Sequence, residues 1–358
     1  MIKIKTISIL SVIIAMVFML SACTAKKTGI VEYKSNPDLS FVKDDWKGNI
    51  VINNRYKNDI NEEPVSTWTA VKWKFSRNPQ RKEKKAEDYH IPVSRLTSLP
   101  DGDAIIWLGH ATFIIQLNGV RLITDPSLFN IPTYKRHSEL PCDPEILTGI
   151  DYMLISHDHH DHFNIKSIKL LSKNNPEMKV LGPLDSQRLF NKNKKLKEMS
   201  LQEAGWWQEY QLDKDIRIVF VPARHWGRRS LNDTNKTLWG GFIIISGDKK
   251  VYFGGDTAYG SMFNDIHEVF GDMDICILPI GAYAPAYMMS RSHINPEEAV
   301  RVFEELGGKI LIPMHYGTFD LSDEPLGEPI RKLKEAASKH HISDRIKELR
   351  VGEIFRMN

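Results

Sequence analysis

Cysteine is scarce in this chain, with three in 358 residues, which excludes a disulfide scaffold. The apolar run from Ile7 to Leu20 holds 14 residues, too few for an ordinary membrane-spanning helix. An excess of one charge sign is also missing. Lys and Arg total 48 against 45 Asp and Glu, and setting aside Lys3 and Lys5 leaves 46 against 45. That balance carries no electrostatic footprint for nucleic acid, and none is expected as a partner. The composition, 42% hydrophobic and 26% charged, is that of a globular chain and argues against extensive disorder. At roughly 100–200 residues per domain, this length allows two domains or one large layered one.

The N-terminus reads as a leader. Lys3 and Lys5 precede an apolar core of signal-peptide length. Leu20-Ser21-Ala22-Cys23 then resembles the lipobox of bacterial lipoproteins, in which Cys23 would be lipid-modified and become the new N-terminus. Small residues at Ser21 and Ala22 suit the cleavage, and an uncleaved anchor with a chance cysteine is the alternative. Either way the expectation is an extracytoplasmic, membrane-anchored protein with residues 1–22 as signal peptide. Cys276, inside Asp274-Ile275-Cys276-Ile277-Leu278, reads as a buried core thiol.

Residues 23–100 read as a tether and N-terminal extension, and 101–358 as the main domain. Trp68 to Phe75 fits a short helix or a strand equally well. The cluster Arg77, Arg81, Lys82, Lys84 and Lys85 fits a solvated face or an anionic membrane surface. From Ala104 the pattern sharpens. Ala104 to Leu108 reads as a strand, and Asn118-Gly119 between Phe113–Leu117 and Val120–Thr124 is a two-residue hairpin signal. Asp151 to Ser156 and Ile216 to Val221 are further strands, and Ile165, Ile168, Leu170 and Leu171 recur at helical spacing. Leu238–Ser246 and Lys250–Phe253 bracket a second hairpin at Gly247-Asp248-Lys249. Ile275–Ile280 and Lys309–Pro313 are strands on either side of a helix that Asn295-Pro296-Glu297-Glu298 would open and Gly307-Gly308 would end. The fold class is α/β, two packed sheets with helices outside.

The chemistry centres on Ser156-His157-Asp158-His159-His160-Asp161-His162. Histidines two apart in an extended turn, His157 and His159, can converge on one metal, and Asp161-His162 can serve a second. Neutral imidazoles with carboxylates suit Zn²⁺, and a hydrolytic site keeps a position open for water. A surface histidine cluster is the plain alternative. Four ligand-type residues at H-x-H-x-D-H spacing directly after an apolar strand argue against it.

That motif resembles the metallo-β-lactamase superfamily, hydrolases built as an αββα four-layer sandwich. The resemblance implies one metal held by His157, His159 and His225, a second held by Asp161, His162 and His315, and Asp256 bridging both. His225 stands in Pro222-Ala223-Arg224-His225-Trp226, Asp256 in Phe253-Gly254-Gly255-Asp256-Thr257, and His315 in Pro313-Met314-His315-Tyr316-Gly317. Trp107-Leu108-Gly109-His110-Ala111-Thr112, Thr124-Asp125-Pro126, Leu238-Trp239-Gly240-Gly241, Pro279-Ile280-Gly281-Ala282-Tyr283 and His293-Ile294-Asn295-Pro296-Glu297-Glu298-Ala299-Val300 are similar to the phospholipases D that hydrolyse N-acylphosphatidylethanolamine. This narrower likeness runs from about Trp107 to Pro329.

From that likeness two Zn²⁺ per chain are expected, with other divalent metals able to replace them. A hydroxide bridging the metals would attack phosphorus in line. Asp161, Asp256 and His293 are the candidate catalytic residues, His293 to orient substrate or assist the leaving group. His110 fits a supporting bond or simple packing, Asp125 a bond that fixes the ligand loop, and Arg228 and Arg229 a phosphate contact or exposed charge. Tyr283, Tyr287 and Met288, with Pro285 and Met289, would line an acyl groove or pack in the core. Trp206 and Trp207 fit an interface or the core. The expected partners are a membrane, reached through the lipid anchor, and a phospholipid. The alternative is a lactonase or esterase acting on a small soluble substrate such as a sugar-phosphate lactone. A non-catalytic binding lipoprotein is a third reading, against which all ligand positions stand filled. Oligomeric state stays open.

Overall fold

A computed structural model describes residues 30–60 and 67–357; the leader and Cys23 lie outside the described residues. A three-stranded antiparallel sheet comes first, β1 (Val31–Lys34), β2 (Asn49–Ile52) and β3 (Arg55–Tyr56). Two helices follow, α1 (Thr67–Phe75) and α2 (Arg81–Ala86). Trp68 to Phe75 is thus helical.

The main body is two mixed sheets. One contains β4 (Ala104–Trp107), β5 (Phe113–Leu117), β6 (Val120–Thr124), β7 (Tyr152–Leu154), β8 (Lys179–Pro183) and β9 (Leu201–Ala204). The other contains β10 (Gln208–Glu209), β11 (Arg217–Val221), β12 (Gly241–Ser246), β13 (Lys249–Phe253), β14 (Ile275–Pro279) and β15 (Ile310–Met314). The last strand, β16 (Ile354–Arg356), returns to flank β4, making the first sheet seven-stranded. Each sheet opens with antiparallel neighbours and ends with parallel ones, β6-β7-β8-β9 in the first and β13-β14-β15 in the second. The parallel joins need crossovers, and all but the one from β6 to β7 carry α-helices. They are α3 (Ile165–Asn174) and α4 (Gln187–Asn191) on the first sheet, and α5 (Met262–Phe270) on the second. The short α6 (Ala286–Met289) and α7 (Pro296–Glu305) lie between β14 and β15, and α8 (Glu328–Lys339) follows β15.

Alternation along β4 creates the layers. Ile105 and Trp107 enter the cluster shared with the second sheet, whereas Ile106 joins Ile168, Leu171, Phe163 and Phe190 under α3 and α4. A strand buried on both faces needs apolar residues at every position, and Ala-Ile-Ile-Trp supplies them. The result is the αββα sandwich. Helix α7 begins as expected: the Asn295 side chain accepts from the N–H of Glu297 and Glu298, and Glu298 reaches back to the Asn295 N–H.

One strand boundary differs from the sequence reading. Leu238-Trp239-Gly240 is not part of β12, which starts at Gly241. A Cβ on Gly240 would lie 2.5 Å from the Val221 carbonyl oxygen, and Gly240 N–H donates to Ser156 O at 3.1 Å. The segment crosses to the other sheet instead of pairing. Cys276 and both Trp206 and Trp207 are buried in the core, and burial pushes the Cys276 thiol far up.

The N-terminal stretch packs on this body. Leu39, Val51, Tyr56 and Ile91 all enter the central cluster. Lys34 pairs with Asp185 at 2.6 Å, and Tyr56 Oη donates to the same carboxylate at 2.6 Å. Among the described residues no helix is long and apolar enough to cross a membrane.

Phe303 is fully buried on α7, where the Arg345 guanidinium stacks 4.6 Å from its ring centroid. Phe303→Ala should cost about 3–5 kcal/mol in urea unfolding. Asn295→Ala, which deletes only the cap, should cost about 1 kcal/mol.

Candidate metal centre

Strands β4, β6 and β7 point the same way, and so do β11, β13, β14 and β15. The residues beyond their C-terminal ends meet along one edge of the sandwich, the usual place for ligands in parallel sheets. His110 follows β4, Asp125 β6, His157 to His162 β7, His225 β11, Asp256 β13, His293 β14 and His315 β15.

The convergence is tight. Ligand-type atoms of His157, His159, His225 and Asp256 lie within 4.8 Å of one another, as do those of His110, Asp161, His162 and His315. His159 Nδ1 is 3.0 Å from His157 Nε2 and 3.2 Å from His225 Nε2. Asp256 Oδ2 stands between the groups, 3.8 Å from the Nε2 of both His157 and His225, 3.2 Å from that of His162 and 3.1 Å from that of His315. His293 Nδ1 faces the same oxygen at 3.9 Å. Seven predicted ligand residues and His293 therefore share one cluster.

Imidazole nitrogens with nothing to bond are costly when buried. His162 Nε2, His315 Nε2, His293 Nδ1 and Asp256 Oδ1 are buried without a hydrogen-bond partner. A cation in each group would give the orphaned atoms of His162, His315 and Asp256 a partner, so the residues fit two divalent metal ions. Charge points the same way. Burial opposes ionisation of Asp256, but His162 and His315 hold its carboxyl well below the usual range. Burial likewise opposes a charge on His315, yet Asp256 and Asp161 push it up to about 9. Burial pushes His157 and His225 well below the usual imidazole range, which favours the neutral form a metal ligand needs.

Outer bonds aim these rings. Asp125, fully buried, accepts from Ser156 N–H at 2.7 Å, from the Ser156 hydroxyl at 2.6 Å and from His162 Nδ1 at 2.7 Å. Ser156 Oγ lies 2.8 Å from His157 Nδ1, and His225 Nδ1 donates to Ser292 O at 2.9 Å. With Nδ1 engaged, Nε2 is left facing the centre. His110, which the sequence left between support and packing, lies 2.9 Å from Asp161 Oδ2 with its ring 4.1 Å from that of His315. Burial and His315 lower it to about 3.

Backbone shape also marks the site. His110, Asp125 and His315 have φ of 55°, 33° and 62°, a region non-glycine residues rarely adopt. Gly255 takes φ +57° before Asp256, and a Cβ there would press on Gly240 O at 2.8 Å and Ser156 Cβ at 2.9 Å.

The remaining candidates are placed differently. Arg229 donates to the carbonyls of Asp158 and Phe163 at 2.8 and 2.9 Å and braces the ligand loop, while Arg228 is exposed and bonds Ser230 O. Buried Asp158 pairs with Arg188 at 2.9 Å. Tyr283 is buried, with its hydroxyl donating to Glu328 at 2.7 Å. Tyr287 is exposed and Met288 half-buried on α6. Asp161 and His293 keep 13% and 12% of their side-chain surface exposed, so solvent reaches the centre from their side.

The family model of the Beta-lactamase superfamily domain matches residues 121–316. The chain belongs to the metallo-β-lactamase superfamily. Within it, the chain is 34% identical over 271 residues to N-acyl-phosphatidylethanolamine-hydrolyzing phospholipase D 1 of Caenorhabditis elegans, covering 71% of this chain and 76% of that relative. It is 33% identical over 251 residues to the mitochondrial N-acyl-phosphatidylethanolamine-hydrolyzing phospholipase D of Saccharomyces cerevisiae, covering 67% of this chain and 53% of that protein. The chain thus spans about half the length of the yeast relative. Among solved structures, the isothiocyanate hydrolase from Delia radicum gut bacteria shares the fold at TM-score 0.58 and 17% identity, over 71% of this chain and 99% of that one. With its two ligand groups, this superfamily member is a metal-dependent hydrolase.

Asp125→Asn weakens two contacts, to His162 and to Ser156. It should lower divalent-metal affinity about 10–100-fold, as removal of a ligand's outer partner does. Chelator competition measures this directly.

Proposed function

We propose that this chain is a two-metal phosphodiesterase of phospholipase D type that hydrolyses N-acylphosphatidylethanolamine or a related phospholipid. The observation that carries the reading is Asp256 Oδ2 standing between two histidine-rich groups. The likeness to two N-acylphosphatidylethanolamine-hydrolyzing relatives supports the substrate.

Residues would divide the work as follows. His157, His159 and His225 would hold one ion, Asp161, His162 and His315 the other, and Asp256 both. Two such ions supply hydroxide at neutral pH and neutralise charge developing on phosphoryl oxygens. Attack on phosphorus breaks its bond to the ethanolamine oxygen, yielding phosphatidic acid and an N-acylethanolamine. His293, at the solvent-reached side of the centre, would orient the phosphodiester, and Asp161, exposed on the same side, would hold its ion in place.

A lipid substrate also suits the surface around the site. Helix α1 presents Trp68, Val71 and Phe75 to solvent at positions i, i+3 and i+7, with Trp68 72% and Phe75 86% exposed. Its Trp73 Nε1 donates to Asp323 at 3.2 Å, and Asp323 N–H donates to Ala284 O at 3.0 Å, which ties the helix to the loop that carries α6 and His293. Exposed Lys72, Arg77, Arg81, Lys82 and Lys85 lie alongside, a fit to anionic lipid. Tyr287 and Met288 would border the path of the acyl chains. Lipidation at Cys23 would hold the chain on the outer side of a membrane, beside such a substrate.

The test is incubation of the full chain with N-acylphosphatidylethanolamine in mixed micelles, quantifying both products. Release should fall at least about 10³-fold in Asp256→Asn and on chelation, and return with Zn²⁺. Intact phospholipid with metal-loaded protein would instead turn the site toward a small-molecule lactone or ester. Trp68→Ser with Phe75→Ser should slow turnover of substrate embedded in anionic vesicles while sparing substrate in micelles.

A further inference from the structure

His225 lies beyond the end of β11, outside any strand. The main chain of the preceding Arg224 is tied on both sides: Ala258 N–H donates to Arg224 O at 2.8 Å, and Arg224 N–H donates to the Thr257 hydroxyl at 3.0 Å. The N–H and C=O of His225 itself are met by one side chain. His225 N–H donates to Asn58 Oδ1 at 3.2 Å, and Asn58 Nδ2 donates to His225 O at 2.9 Å. Trp239 Nε1 donates to that same Oδ1 at 2.9 Å, which fixes which end of the amide is oxygen.

Asn58 comes from outside the segment the family model covers, 167 residues away in the chain. The region around it is laced to the loop after His225. Tyr56 N–H donates to Asn235 O at 2.8 Å, Asn235 Nδ2 returns a bond to Tyr56 O at 3.2 Å, and Asn235 N–H donates to Gly227 O at 2.7 Å.

We infer that Asn58 is a positioning residue for the metal centre, the means by which the N-terminal segment aims His225 Nε2 at the group formed with His157, His159 and Asp256. The inference rests on the metal-centre reading above. A main-chain N–H and C=O on a residue 1% exposed need partners, and the amide answers both. Without it the main chain at His225 loses both its bonds, and the ring is aimed only by its own contacts, Nδ1 on Ser292 O and Nε2 near His159. The bonds that Asn58 makes to His225 and Trp239 reach the first group alone, so the effect should fall on one ion of the two.

The experiment measures Zn²⁺ stoichiometry and affinity by chelator competition on the full chain, in wild type, Asn58→Ala and Tyr56→Phe. Wild type should hold two ions. Asn58→Ala should keep one at wild-type affinity and bind the other about 10–100-fold more weakly. Tyr56→Phe, which loosens the same segment at Asp185, should keep both while its thermal midpoint falls. If Asn58→Ala does not fold, Asn58→Asp carries the comparison, since it keeps the acceptor for His225 N–H and Trp239 but loses the donor to His225 O. Two ions at wild-type affinity in the Asn58 variant would overturn the assignment. Equal weakening in Tyr56→Phe would overturn it too, by tracing the loss to segment stability. Wild type that binds no Zn²⁺ would overturn the metal-centre reading itself.

Discussion

A carboxylate buried to 3% exposure among imidazoles is the constraint around which this fold is arranged. Alone, Asp256 would be driven toward its neutral acid by burial, and crowded histidines would be driven to lose their protons. Together they compensate, and only at the separations seen here. Those separations require five loops from two sheets to end within a few ångströms of one another. Left-handed backbone at His110, Asp125 and His315, and close approach at Gly255, are what that convergence costs locally.

Much of this was legible in the residues. Apolar runs in β4, β5, β12, β14 and β15 announced strands buried on both faces, and Asn118-Gly119 and the Asn295 capping box punctuated them. The histidine-rich loop stood out because it directly follows an apolar strand, and the resemblance to the superfamily then implied His225, Asp256 and His315, each also placed after such a strand. Less was visible where a strand is short or partly polar: β9 is Leu-Gln-Glu-Ala and β10 only two residues long, so their pairing depends on neighbours. Trp68 to Phe75 was ambiguous because Trp68, Val71 and Phe75 face solvent and only Trp73 turns inward, so no core fixes its period.

The supporting bonds were harder still. Asp125 could be named as a brace from its place before the ligand loop, but His110 could not be separated from packing. No local signal marks a histidine that reaches Asp161 from another loop. Asn58 was invisible: an asparagine after a short strand reads as a turn residue, and its partner lies 167 positions on. The arginine pair shows the same limit. Arg228 and Arg229 read as a phosphate contact or as exposed charge, and Arg229 spends its guanidinium on carbonyls of the histidine loop.

Each ligand group draws from both sheets. His157 and His159 hang from the seven-stranded sheet while His225 and Asp256 hang from the six-stranded one, and the second group divides the same way with His315 as the second sheet's share. The two ions would therefore act as rivets across the sandwich. With ions in both groups, an opening that parts the sheets would have to release them, so free metal would resist unfolding by mass action. The groups proposed for chemistry would then also tie the two sheets together.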